Sequence, residues 1–249
     1  MFQLNYKQGQ ELKVNFARII KKNQVACLQN ICIEVFEQGF IFTATNLDET
    51  LIFESSKGGA KPYKFLISQE TLKRIFAGMK RGSSAEFSYQ DNKLKVTFLG
   101  YGEMSLIYPA LEAEGFPMSA SVSHEAKSVA IDDLISLYRV AQHGASSDES
   151  KAVLNSVCFD SENHRIVSTD GRRLIHLDTN LSFSKDLILP LTKILKTSKI
   201  FDHGGTFTAA KEFVEFECGD WIYQCKQVEG DFPNWKAVVP VNYESSIDL

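Results

Sequence analysis

The stretches TATNLDETLIF (residues 43–53) and VSTDGRRLIHL (residues 167–177) decide how this chain is organised. Each is a strand-like run, a short polar turn and a second strand-like run. Laid over one another, they bring Thr45 onto Thr169 at an offset of 124 residues. FLISQETLKRIF (65–76) lies over LILPLTKILKTS (187–198) at an offset of 122, with Ile67 on Leu189. EGFP (114–117) lies over GDFP (230–233) at an offset of 116, with Phe116 on Phe232. The offsets fall steadily, as small deletions in a second copy produce, so a near-tandem duplication accounts for all three matches.

The pattern outside these stretches agrees. Phe2–Lys7 alternates as a half-buried strand does. Leu12, Phe16, Ile19 and Ile20 are at helical spacing and predict a helix over 11–23. ICIEVF and GFIFTAT predict two strands turning near Gly39. Ser68 is a natural N-cap for a helix over 69–81 with a Leu72/Ile75/Phe76/Met79 stripe, closed by Gly82. AEFSY, KLKVTF and MSLIY read as strands, with Asp91-Asn92 as a tight turn between the first two. MSASVSHEAKS (118–128) reads as a linker. The order then recurs. A strand (KSVAI) is followed by a helix over 132–143, the strands AVLNSVCF, HRIVST, RRLIHLD and KDLIL, a helix over 190–203 opened by Pro190, and the strands TFTAA, EFVEFE and WIYQCK. The expectation is an α+β chain of two similar domains, 1–120 and 121–249, each with two helices packed on antiparallel sheets.

Composition excludes several classes. The 249 residues carry a formal charge of −4, which argues against a polybasic tail but not against a local basic face. No apolar run reaches the ~18–20 residues of a membrane helix, and MFQLNYKQGQELKVNF has no signal-peptide pattern. The five cysteines form no CxxC. Cys218 and Cys225 admit a cross-hairpin bridge, but buried reduced thiols and a cytoplasmic compartment are the preferred reading.

No catalytic or metal constellation stands out. The five histidines are dispersed, and there is no HExxH, Walker loop, GxGxxG or GxSxG. Asp132-Asp133 and Asp148-Glu149 read as helix-start and loop charge. Asp170-Gly171 reads as a strand-to-strand turn, with a second role left open for the side chains beside it. No cofactor is expected. The informative feature is where charge falls. The four predicted helices carry +3, +3, −1 and +2, so +7 lies on helices and −11 on the remainder. Their cations are Arg18, Lys21, Lys22, Lys73, Arg74, Lys80, Arg81, Arg139, Lys193, Lys196 and Lys199. Such faces suit a phosphate backbone without base reading. They lack the interleaved aromatics of a single-strand platform.

STDGRRL, preceded by AVLNSVCFDSE and followed some sixty residues later by GDFPNWKAVVP, resembles the middle domain of the bacterial DNA polymerase III beta subunit, the sliding clamp. ATNLDETL, SQETLKRIFAGM and EGFP resemble its first domain. The resemblance implies a DNA-clamp fold in which helices line a hole around double-stranded DNA and sheets form the outside. It also implies a non-enzymatic processivity factor in DNA replication, cytoplasmic and nucleoid-associated. Carried over by motif position, a pocket for DNA polymerase and clamp-loader peptides would comprise Leu154, Thr169, Gly171, Arg172, Arg173, Leu174, Pro233 and Val238.

Three departures qualify this. Arg172 stands where the common pattern has histidine, and Ala237 where a basic residue is frequent. The family's third domain has no counterpart here. Six domains then require three subunits, so the expected homo-oligomer is a trimer if the ring closes. The alternative is a shortened clamp-like module that binds polymerase-type peptides without a closed ring. An unrelated two-domain α+β enzyme would need a polar pocket of perturbed titratable groups, which the sequence does not announce.

Overall fold

A computed structural model describes residues 1–20, 25–59, 62–100, 102–117, 128–210 and 212–240. β1 (Phe2–Asn5) ends where Asn5 caps α1 (Tyr6–Ile19). Asn5 Oδ1 accepts the Gln8 N–H at 2.9 Å and Gln8 Oε1 accepts the Asn5 N–H at 3.1 Å, a reciprocal capping box. The box overrides the alternation through Lys7, so the helix starts five residues before the position expected from its apolar spacing. Leu12, Phe16 and Ile19 are its buried stripe. The expected continuation over Lys21 and Lys22 falls outside the described residues.

β2 (Asn30–Phe36), β3 (Gly39–Thr45), β4 (Glu49–Ser55) and β5 (Tyr63–Ser68) follow, then α2 (Gln69–Ala77). The Ser68 side chain accepts the Thr71 N–H at 3.1 Å, the cap expected from sequence. α2 stops at Gly78, four residues short of Gly82. Ser83 Oγ accepts from Lys80 N–H and donates to Lys80 C=O, folding 80–83 into a turn instead of a last helical turn. β6 (Ser84–Gln90), β7 (Lys93–Leu99), β8 (Met104–Pro109) and the short β9 (Leu111–Glu112) complete the first series. Asp91 and Asn92 both have positive φ, 51° and 56°, as a tight primed hairpin turn demands.

The second series is β10 (Ser128–Ala130), α3 (Asp132–Ala141), β11 (Ser156–Asp160), β12 (Arg165–Thr169), β13 (Leu174–Asp178) and β14 (Leu187–Pro190), then α4 (Lys193–Thr197), β15 (Thr206–Ala209), β16 (Phe213–Cys218) and β17 (Trp221–Lys226). The helix expected over 190–203 is not continuous. Pro190 closes β14 opposite Ser156, which removes the first turn. At Ser198 the hydroxyl accepts the Ile200 N–H at 3.3 Å and donates to Asn15 Oδ1 at 2.9 Å, so 199–203 restarts as a 3₁₀ turn.

Strand order repeats as element order does. β1-β6-β7-β8 form one sheet and β10-β15-β16-β17 recur in the same order. β4-β3-β2-β5 recur as β13-β12-β11-β14. One junction joins the two kinds: β17 pairs antiparallel with β4, Trp221 opposite Phe53 and Tyr223 opposite Leu51, making a nine-stranded sheet. Two compact units result, one of 1–132 with 197–226 and one of 133–196 with the segment from 227. Their limits differ from the sequence halves because the β17–β4 pairing carries β15–β17 into the first unit.

The first unit is built on aromatics. Phe2 stacks on Phe87 at 4.8 Å and packs on Phe40 at 4.5 Å, and Trp221 lies 5.0 Å from Phe53. α1 and α2 approach closely because Gly9 has no side chain: a Cβ there would stand 2.4 Å from the buried Phe76 ring. Phe116, from EGFP, is buried against Cys32 and Leu66. The second unit has an aliphatic core of Leu134, Ile135, Val157, Ile166, Val167, Leu189, Ile194 and Leu195 around Tyr138, whose hydroxyl donates to Pro190 C=O at 2.6 Å. All five cysteines are free thiols. Cys218 lies opposite Trp221 and Cys225 opposite Val214, so the hairpin register does not join them.

Candidate functional site

The candidate DNA-contacting cations differ in exposure. Lys73, Lys193 and Lys199 are exposed on helical segments, and Lys80 and Arg81 are exposed in the turn after α2. Arg74 is exposed but pairs with Glu70 one helical turn earlier at 3.2 Å. Arg18 is drawn inward. Its guanidinium donates to Asn15 Oδ1 and to Thr197 C=O, and burial lowers its pKa. Arg139 Nε donates to Leu195 C=O at 3.3 Å. Lys196 is half-buried, and burial lowers its pKa against the opposing pull of Glu149. Arg18 and Arg139 hold segments together as well as carrying charge.

In the first unit, Arg18 and Lys199 share a cleft of about 660 Å³ with Lys7, His203, Glu11, Val14 and Trp221. Lys7 is a cation the sequence reading left in a strand; the Asn5-x-x-Gln8 capping box is the signal that places it on α1. In the second unit, Lys196 and Arg173 line a smaller cleft of about 370 Å³ with Glu149 and Asn155. One cleft thus joins a residue assigned to DNA with one assigned to peptides.

The candidate peptide residues centre on the β12–β13 turn. Thr169 Oγ1 donates to Arg173 C=O at 2.6 Å and accepts the Gly171 N–H at 3.0 Å. Asp170 Oδ1 accepts the N–H groups of Arg172 and Arg173 at 2.9 and 3.0 Å, and Oδ2 receives Arg173 Nε at 3.0 Å. Those backbone N–H bonds hold the Asp170 carboxyl below the usual carboxylate range. Asp170 is therefore a turn-capping acceptor, and nothing about it suits acid–base work. Gly171 takes a φ of 87°, a conformation glycine adopts at no steric cost. Arg172 is exposed and Leu174 half-buried.

Leu154 is half-buried, and its C=O accepts the Ser146 N–H at 2.8 Å. Pro233 is exposed and Val238 is 70% exposed. Their segment is held by Trp235, which stacks on His176 of β13 at 5.4 Å and donates Nε1–H to Asp160 Oδ2 at 2.9 Å. Burial pushes the Asp160 carboxyl up, but bonds from Asn163 and Trp235 outweigh it, leaving the group below its ordinary value. Trp235 lies inside the FPNW motif that the sequence makes visible. His176, its stacking partner, is announced by no spacing. Its Nδ1 is buried without a hydrogen-bond partner among the described residues.

The β12–β13 turn has a twin. Between β3 and β4, Thr45 Oγ1 donates to Glu49 C=O at 3.0 Å and accepts the Leu47 N–H at 3.1 Å, while Asn46 Oδ1 accepts the N–H groups of Asp48 and Glu49 at 3.0 and 2.7 Å.

Residues 128–234 match the family model described as DNA polymerase III beta subunit, central domain. The chain is similar to bacterial beta sliding clamps. It is 24% identical over 234 residues to the beta sliding clamp of Chlamydia pneumoniae, covering 90% of this chain and 63% of that protein. The chain therefore spans under two thirds of the length of the curated clamps it first matches. The solved DnaN sliding clamp of Bartonella birtlesii bound to griselimycin superposes with a TM-score of 0.83 at 21% identity, over 96% of this chain and 68% of that one. The Bacillus subtilis DNA polymerase sliding clamp superposes at 0.80 and 18% identity, over 97% and 68%. The DNA-clamp fold, α+β with few helices on antiparallel sheets, is the one expected. Among the described residues, no His/Cys/Asp/Glu group is arranged to hold a metal, and no helix is long and apolar enough to cross a membrane.

Proposed function

We propose that the protein is a non-enzymatic DNA sliding clamp, a processivity factor built from two tandem clamp domains, 1–120 and 121–249. Assembled as a homo-oligomeric ring, a trimer if six domains close it, it encircles double-stranded DNA without reading sequence. It acts in the cytoplasm, associated with the nucleoid. Lys73, Lys193 and Lys199, with Lys80 and Arg81, supply screened phosphate contacts that permit sliding. Arg18 and Arg139 add charge but serve first as helix-to-segment ties, and Lys196 adds charge from a half-buried position. The β12–β13 turn, with Leu154, Pro233 and Val238, receives polymerase and clamp-loader peptides, and Arg172 in place of histidine alters which peptides fit.

The observation that carries this reading is the doubled element and strand order with the central-domain match over its second copy. The test combines light scattering with loading onto nicked circular DNA. A trimer retained on the circle, released on linearisation, and lost with K73E/K193E/K199E is the expected result. A monomer at every concentration that never stays on circles overturns it. The second reading, a peptide-binding module without a ring, is favoured by the engagement of Arg18 and Arg139 in the protein's own contacts. It predicts peptide binding that survives the same triple reversal while circle retention is absent from the start.

A further inference from the structure

The segment that carries Pro233 and Val238 lies over one face of the β13-β12-β11-β14 sheet, and strand register says which residues it meets. Its near end is fixed by backbone: Val228 N–H donates to Ile188 C=O at 2.8 Å. On the sheet, His176 of β13 opposes Val167 of β12, which opposes Cys158 of β11. In the next row Asp178 opposes Arg165, which opposes Asp160. In the row on the other side Leu174 opposes Thr169. Residues two apart on a strand share a face, so Asp160, His176, Leu174 and Thr169 stand on one face.

Trp235 touches two of them. Its indole stacks on His176 at 5.4 Å, with 26° between the rings, and donates Nε1–H to Asp160 Oδ2 at 2.9 Å. It therefore crosses β12, one row from the Leu174/Thr169 pair, or about 7 Å along the strand.

Each half of this seat is itself built. Asn163 aims the Asp160 carboxylate, donating its backbone N–H at 2.9 Å and its side-chain Nδ2 at 2.7 Å. His176 contributes its ring face, while its Nδ1 is buried with no partner among the described residues. A buried polar atom left unpaired costs stability, a cost that a phenylalanine ring in the same place would not carry. Lys236 also ties the segment, to Glu162 at 3.7 Å, but these side chains are 47% and 85% exposed, and surface pairs of that kind add little. Pro233 and Val238 are exposed, two residues before and three after Trp235. Their place follows the place of the indole.

We infer that His176 and Asp160 are positioning residues for peptide capture. They seat Trp235, and the seated indole sets the wall of Pro233 and Val238 against the floor of Leu174 and Thr169. This rests on the proposed peptide site and deepens it, since neither residue has to touch the peptide. Affinity then depends on the ring at position 176, not on its nitrogen atoms.

The experiment titrates a panel of fluorescein-labelled peptides with the full chain, read by anisotropy. Each peptide joins two apolar residues to one aspartate, matched to the apolar Leu154, Leu174 and Val238 and to the exposed Arg172. The variants are H176A, H176F and W235F, with L174D as the pocket control. Tryptophan emission reports the seat, because the other tryptophan, Trp221, is 5% exposed and packed on Phe16 and Phe53.

H176A is expected to weaken binding about tenfold or more and to shift emission to the red, with circular dichroism unchanged. W235F keeps an aromatic ring, loses one hydrogen bond to a carboxylate, and is expected to weaken binding about tenfold. H176F is expected to keep the parent's affinity and emission. Parent affinity in both H176A and W235F, with binding lost in L174D, overturns the positioning and leaves the peptide site standing. Equal losses in H176A and H176F overturn the ring as the seat. A parent that binds none of the peptides overturns the peptide site and the positioning with it. If H176A does not fold, H176F and W235F decide: H176F at parent affinity with W235F weakened supports the seat, and any other order overturns it.

Discussion

The turn at Thr45–Thr50 and the turn at Thr169–Leu174 are one backbone with two surroundings. Each uses a threonine hydroxyl and an Asx carbonyl or carboxylate oxygen to make the same four backbone hydrogen bonds. At the first turn the side chains are acidic, and they are consumed. Glu49 Oε2 accepts the Tyr223 hydroxyl at 2.8 Å and Asp48 pairs with Lys226 at 3.0 Å, beneath a strand that seals β4. At the second turn they are basic, Arg172 is exposed, and β13 has no described strand on its outer side. Local polar chemistry sets the conformation. What lies across the next strand edge decides whether the turn is structural or available.

Three pairs of substitutions test this contrast. The largest effect belongs to the seal. Trp221→Ala removes a 5%-exposed ring packed on Phe16 and Phe53 and is expected to cost about 3–5 kcal/mol in denaturant unfolding. Met104→Ala, at the matching first position of β8 (Phe98 opposes Met104 as Cys218 opposes Trp221), changes a 52%-exposed side chain on a strand with no described strand on its outer side and is expected to stay within about 0.5 kcal/mol when measured below the association concentration. Equal losses would mean β8 is covered within the chain.

The middle effect is at the third turn residue. Leu47 holds a φ of 75° and Gly171 one of 87°, and a side chain in that region costs about 1–2 kcal/mol. Leu47→Gly is expected to raise the unfolding midpoint and Gly171→Leu to lower it. Identical signs would show that the turns differ in backbone after all.

The smallest effect separates Asn46 from Asp170. The Asp170 carboxyl is depressed in the folded state, so its contribution is present above the ordinary carboxylate pKa and is lost as pH falls through the lower folded value. Asp170→Asn is expected to flatten the acid limb of the stability curve slightly. Asn46→Asp is expected to steepen it, and circular dichroism melts across that limb measure both.

Much of this is legible in the sequence. The Thr45/Thr169 alignment is the alignment of the two hydrogen-bonded turns, and Asp91-Asn92 is a positive-φ pair at a hairpin tip. Helix limits were not legible where capping competes with periodicity. Asn5/Gln8 start α1 inside an alternating run, Gly78 ends α2 before Lys80 and Arg81, and Ser198 divides the last helical stretch. The candidate site was half legible. Sequence spacing marks a cationic helix face, but it cannot show that Arg18 reaches the Thr197 carbonyl or that Arg139 reaches Leu195. Those ties depend on segments far away in the chain. That β8 and β13 have no described strand on their outer sides was invisible as well, since a strand looks the same in sequence whatever lies beside it.

The β17–β4 junction also sets a timetable. Phe53 leaves the ribosome roughly 170 residues before Trp221, so at about 5–20 residues per second the β4 edge waits some 10–30 s for the strand that seals it. Until then the first unit lacks three of its strands and the cover over Leu51 and Phe53. Its completion is a long-range closure, slow by topology. A nascent chain stalled between β14 and β17 presents an apolar template to its neighbours on the same messenger.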